Sequence, residues 1–152
     1  MIIRRVGTMI VLLLVITSGV YLFYCQANKA ETLDKRTEIK LDPTEKQMVL
    51  AEMRSFLISV QQVSKGIADN EMSHVVTAAR QSGAIAQGRA PTSLSKKLPL
   101  PFKRLGLDTH RKFDLLAQDA EDLGDRDHAL TQLSMLMKNC ISCHEMYRIG
   151  SR

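Results

Sequence analysis

From Asp42 onward, apolar residues return every three or four positions, the spacing that lays a stripe along one face of an α-helix. A first helix is predicted from residue 43 to about Asp69-Asn70, with Met48, Val49, Met53, Phe56, Leu57, Val60, Val63 and Ile67 on its stripe. Its start is marked by Asp42-Pro43-Thr44-Glu45, which sets an acceptor at the N-cap, proline at the first helical position and glutamate at the third. A shorter helix follows over Glu71 to Ser82, with Met72, Val75, Val76 and Ala79 on one face and Gly83 as its C-cap. Ala84 to Pro101 holds Gly88, Pro91, Pro99 and Pro101 and reads as a long crossover with a helical turn at Ala84 to Gln87. A third helix runs from Phe102 to Leu123 through Phe113, Leu116 and Ala120, weakened early by Gly106 and closed by Gly124. Asp125 or Asp127 opens a fourth, which carries Leu130, Leu133, Leu136, Met137, Cys140, Cys143, His144 and Tyr147 and ends before Gly150. No strand signal is present. The economical fold is all-α, an antiparallel four-helix bundle over residues 42–152.

The N-terminus has a different pattern. Val6 to Cys25 is almost wholly apolar and follows Arg4 and Arg5. A run of about 20 apolar residues spans a bilayer as a helix, whereas a signal peptide has a shorter apolar region before a small-residue cleavage site. Cys25-Gln26-Ala27 offers such a site, but the run is long for a signal, and residues 1–25 read as an uncleaved anchor in preference to a signal peptide. Leu22, Phe23 and Tyr24 are too bulky for a lipoprotein site at Cys25. Under either reading the arginines stay cytoplasmic and the rest is exported. Residues 26–41 (QANKAETLDKRTEIKL) lack a strong period and read as a polar linker.

Composition agrees with helices. Aromatic residues make up 5% of the chain and tryptophan is absent, which favours packing through Leu, Val, Met and Ala over a β-sandwich. Of the formal charge of +5, Arg4, Arg5 and Lys29 flank the apolar run, so the exported part is only slightly basic and gives no footprint for nucleic acid. Lys96, Lys97, Lys103, Arg104, Arg111 and Lys112 crowd the start of the third helix, and Asp114, Asp119, Glu121 and Asp122 its end. This runs against the helix dipole. It reads as solvated side chains, with a docking surface for an acidic redox partner as the alternative.

The chemistry is concentrated near the C-terminus, in Cys140-Ile141-Ser142-Cys143-His144. This is the C-x-x-C-H attachment pattern of c-type haem. Two thiols must form thioethers with the two vinyl groups of one porphyrin, and the next residue must offer an imidazole to the iron. Positions i, i+3 and i+4 share a helix face, so all three side chains can meet one flat ligand. A zinc site would need a fourth ligand, which no second C-x-x-C or H-x3-H supplies, and a thioredoxin-like dithiol would need a βαβ pattern. His74, His110 and His128 have no ligand spacing among them and read as surface or rim residues.

Four helices with this motif late in the last one resemble the cytochrome c′ family, the class II cytochromes c. The likeness runs on through Tyr147-Arg148, since the family commonly shows Cys-x-x-Cys-His-x-x-Tyr-Arg. It implies a single covalent haem c on Cys140 and Cys143, His144 as proximal iron ligand, and Arg148 beside the proximal side. It also implies a sixth ligand, or an apolar gap, on the first bundle helix. Counting back from the turn between the first two helices favours Met53; level-matching with His144 favours Met48. Where the family often has an arginine one turn before the distal residue, Val49 stands before Met53, and Arg54 follows it. A thioether there makes a low-spin electron carrier, whereas an apolar residue leaves five-coordinate iron that binds NO or another small gas.

The expected function is electron transfer by an exported, membrane-tethered haem protein on the periplasmic side of a bacterial inner membrane, where haem is attached. Gas binding is the alternative, and a redox subunit of a larger complex a weaker one. No catalytic acid–base pair or nucleophile is visible, so no enzyme activity is expected. The partners implied are an unidentified redox protein and, from the family's habit, a second copy of the chain.

Overall fold

The computed structural model describes residues 2–87 and 91–151, less the side chains of 2–5, 8, 26–33 and 87. In chain order the elements are α1 (Ile2–Leu33), β1 (Thr37–Leu41), α2 (Pro43–Ala68), α3 (Met72–Arg80), α4 (Ala84–Gln87), α5 (Thr92–Lys97), α6 (Leu100–Leu123), α7 (Arg126–Met146) and β2 (Tyr147–Ser151). The chain divides into two compact units, Met1–Lys35 and Arg36–Arg152. It is predominantly helical, as the periodicity requires.

In the first unit, α1 carries the apolar run and continues to Leu33, past the linker start expected at Gln26. Its described large apolar side chains are exposed, from Val6 at 51% to Phe23 at 76%. The hydroxyls of Thr17 and Ser18 donate back to the carbonyls of Leu13 (2.9 Å) and Val15 (3.0 Å), so the helix meets its own polar needs there. Among the described residues no helix is long and apolar enough to cross a membrane. The side chains of Arg4, Arg5 and Thr8, on which the expected anchor partly rests, lie outside the described residues.

In the second unit, α2 starts as its sequence dictates. The Asp42 carboxylate accepts from the Glu45 amide at 2.9 Å, and the Glu45 carboxylate accepts from the Asp42 amide at 3.3 Å, closing a capping box. α3 packs on α2 and α6, α6 packs on α7, and α2 touches α7. One core lies among them: Val63 and Ile67 of α2, Val75 and Ala79 of α3, Phe113 and Leu116 of α6, and Leu133 and Leu136 of α7. Gly124 ends α6 in the left-handed conformation (φ +62°), where a side chain would be strained. Asp125 then caps α7, accepting from the amides of Asp127 (2.9 Å) and His128 (3.0 Å), which hold its carboxyl below the usual range.

Four local expectations are corrected. Leu57 is exposed, at 68%, because the buried face of α2 is turned toward Ser59, Val63 and Gly66, and Leu123, at 61%, is exposed at the last residue of α6. Gly83 is not a C-cap: α3 closes at Gln81, and Gly83 lies against the Asp114 carboxylate. The fourth helix stops at Met146, so Tyr147 and Arg148 are extended. Finally, the stretch read as linker supplies a strand. β1 pairs in parallel with β2, Thr37 opposite Tyr147 through Leu41 opposite Ser151, and the compact unit begins at Arg36 rather than Asp42. Each strand is too short to show a period, and the pair is held by its mutual hydrogen bonds and by packing against the helices.

Candidate functional site

Leu133, Leu136, Cys140 and Cys143 fall at helical spacing on the inward stripe of α7. Cys140 packs against the main core. Cys143, one turn on, packs against a second apolar cluster at the end of the molecule that holds β1 and β2. His144 follows at the edge of the stripe and is exposed. The helix ends two residues later, with the Tyr147 amide donating to the Cys143 carbonyl. Two thiols and an imidazole therefore share one helical turn at a junction of apolar clusters.

The thiols are free. Burial pushes the Cys140 thiol up, against smaller opposing effects of a backbone hydrogen bond and the Lys112 charge. Burial also pushes Cys143 up, with the neighbouring Cys140 adding to the shift. Among the described residues no three His, Cys, Asp or Glu side chains are gathered for a metal ion.

The second cluster is built from six elements. Ile39, Leu41, Val49, Leu94 and Phe102 are buried in it, and Met48, Met53, Leu98, Cys143, Tyr147 and Ile149 are packed against it. Phe102 and Tyr147 meet edge to face, with ring centroids 5.4 Å apart. The fold thus brings both methionines of α2 into the same cluster as Cys143, and both are half-buried. Met48 differs in also lining a separate cavity of about 250 Å³ with Glu52, Phe56, Ser82 and His110. That volume lies below the ~300–1,000 Å³ of typical small-molecule pockets. Its walls include none of Cys140, Cys143, His144 or Met53.

Arg148 is placed differently from its neighbours. Side chains alternate along a strand, so Tyr147 and Ile149 face the cluster while Arg148 lies on the other side. There its guanidinium is 3.2 Å from the Glu38 carboxylate, its partner in the strand register.

His110 was expected at the surface or rim and is instead buried, at 3% exposure. Its Nδ1 is 2.8 Å from the Ser82 carbonyl oxygen and its Nε2 is 3.2 Å from the Glu52 carboxylate. Both partners are acceptors, an arrangement that favours the doubly protonated ring. Burial works against that charge, but the bonds to Glu52 and Ser82 outweigh it and raise the pKa above the ordinary histidine value. Phe56 packs edge-on to the ring, its centroid 5.0 Å away. The missed signal was periodicity: His110, Phe113, Ala117 and Ala120 fall on one face of α6. His74 and His128 sit at the rim as expected, bonded to Gln62 (3.0 Å) and Asp119 (2.9 Å).

Three of the six basic residues near the start of α6 are engaged within the fold. Lys97 bridges Asp42 (3.2 Å) and Glu45; Arg111 and Lys112 lie 2.9 and 3.0 Å from Asp108. Lys112 also donates to the Asn139 side chain on α7 at 2.8 Å. These contacts offset the unfavourable helix-dipole placement and leave less free positive charge for a docking surface.

No protein-family model, curated protein or solved structure matches this chain.

Proposed function

We propose that this chain is a c-type haem protein that transfers electrons, exported across a bacterial inner membrane and tethered to it by its N-terminal segment. The observation that carries the reading is the C-x-x-C-H run on the inward stripe of α7, with Cys143 in one apolar cluster with Met48 and Met53. Two half-buried thiols on one helix face, an imidazole beside them and a facing thioether are the donor set that a covalent haem with Met/His ligation requires. The reading takes α2, α3, α6 and α7 as a four-helix bundle of cytochrome c′ type, with each consecutive pair packed together and α2 meeting α7.

When bound, the haem supplies a one-electron iron couple. Cys140 and Cys143 would hold it through thioethers, and His144 and Met53 would supply ligands to the iron. The chain does the rest: apolar side chains of β1, α5 and α6 exclude water from the Cys143 side, and α7 fixes the order of thiols and imidazole. Met53 is preferred over Met48 by its position counted back from the turn between α2 and α3. The membrane part rests on Val6–Cys25, a largely apolar stretch behind a pair of arginines, and on the exposure of the described apolar side chains of α1.

The test is expression of the full chain in a host competent for c-type haem attachment. Haem that stays with the polypeptide on a denaturing gel, with a low-spin spectrum in the native protein, is expected. Cys140→Ala or Cys143→Ala should remove the stable two-thioether attachment. Wild-type protein with no Soret band would refute the reading. A five-coordinate spectrum would replace electron transfer by binding of NO or another small gas.

A further inference from the structure

The segment Arg36–Leu41 lies before the four-helix domain that the sequence and its resemblance outline, yet it is tied into the site residue by residue. Leu41 is fully buried and Ile39 is 3% exposed, both in the cluster that contains Cys143 and Met53. Their strand runs parallel to the five residues that directly follow α7, in a fixed register. On the outer face Glu38 reaches Arg148 at 3.2 Å, crossing Gly150 so closely that a Cβ there would lie 2.3 Å from its carboxylate oxygen. At the start of the segment, Arg36 Nη1 donates to the backbone carbonyl of His144 itself at 3.4 Å. At its far end, Lys46 of α2 donates to Ser151 at 3.0 Å, closing the pair against α2.

We infer that Arg36–Leu41 is a strap belonging to the cofactor crevice: Ile39 and Leu41 form part of its apolar wall, and Arg36 positions the His144 segment. The inference rests on the haem reading and extends it to residues outside the helices. The physical consequence is a set potential. A ferric porphyrin core carries one net positive charge and a ferrous core none, so an apolar wall and a nearby cation both favour the ferrous state and raise the reduction potential. A stretch of chain that only tethers the domain would have neither effect.

The experiment uses the full-length, haem-loaded protein and measures reduction potential and covalent haem content. Ile39→Thr keeps a β-branched strand residue but puts a hydroxyl in the wall; Ile39→Val is its apolar control. Arg36→Gln removes the cation from the His144 carbonyl at an exposed position. The strap predicts a lower potential for Ile39→Thr and for Arg36→Gln, with Ile39→Val unchanged and haem content preserved in all three. Loaded variants with the wild-type potential would overturn the strap and leave the haem reading standing. Wild-type protein without covalent haem would overturn both. If Ile39→Thr does not fold, Arg36→Gln decides alone, and an unchanged potential there overturns the inference.

Discussion

Met53 and Met48 offer an internal control that the fold makes unusually clean. Both lie on α2, both are half-buried, and both pack against the cluster that holds Cys143. Truncating a fully buried methionine to alanine costs about 2–5 kcal/mol, so each of these partly exposed side chains should cost somewhat less than that. The packing losses of Met53→Ala and Met48→Ala should therefore match, and thermal unfolding should show similar shifts. Ligation separates them. If the Met53 thioether is bound opposite His144, Met53→Ala alone should convert the low-spin spectrum to high spin and speed CO binding, since no sulfur has to be displaced first. It should also lower the reduction potential, because the soft thioether favours ferrous iron. The assay is a spectrum of oxidised and reduced protein, followed by CO mixing, on both variants. A low-spin spectrum that survives Met53→Ala and is lost in Met48→Ala would refute the assignment and place the ligand one turn earlier. A low-spin spectrum that survives in the Met48→Ala/Met53→Ala double variant would remove methionine ligation altogether.

Stability should also depend on pH through His110. Its folded pKa is raised above the ordinary value of 6.5, so its contribution is full below that value and lost as pH rises through the folded pKa. The melting temperature should fall across that window, and His110→Gln should flatten the profile; an identical profile in the variant would exclude the Glu52 pair as the cause. Phe113 is fully buried and stacks on Phe56, with ring centroids 5.8 Å apart, so Phe113→Ala should destabilise by about 3–5 kcal/mol in denaturant unfolding; a loss under about 1 kcal/mol would contradict this core. The full chain should sediment with membranes and resist a carbonate wash, whereas release in soluble form with a mature N-terminus near Ala27 would leave only an export signal.

What the sequence determined by itself was local. Asp42-Pro43-Thr44-Glu45 encodes its own cap, because the groups that bond are three residues apart and need nothing else. Gly124 and Asp125 likewise mark one helix end and the next start. The i, i+3, i+4 spacing puts Cys140, Cys143 and His144 on one turn in any α-helix. Tertiary structure decided what depends on distant partners. Thr37–Leu41 has no strong pattern of its own and becomes a strand because residues 147–151 offer backbone groups to it. Those same bonds end α7 before Tyr147 and carry Arg148 to Glu38. Periodicity puts His110 on the inward face of α6, but its partners are distant: α2 brings Glu52 and the turn after α3 brings the Ser82 carbonyl. The nearness of Met48 and Met53 to Cys143 is of the same kind. Helical period places each on a stripe, but only the packing of α2 beside α7 puts the stripes in one cluster, because which faces meet is a property of the whole fold.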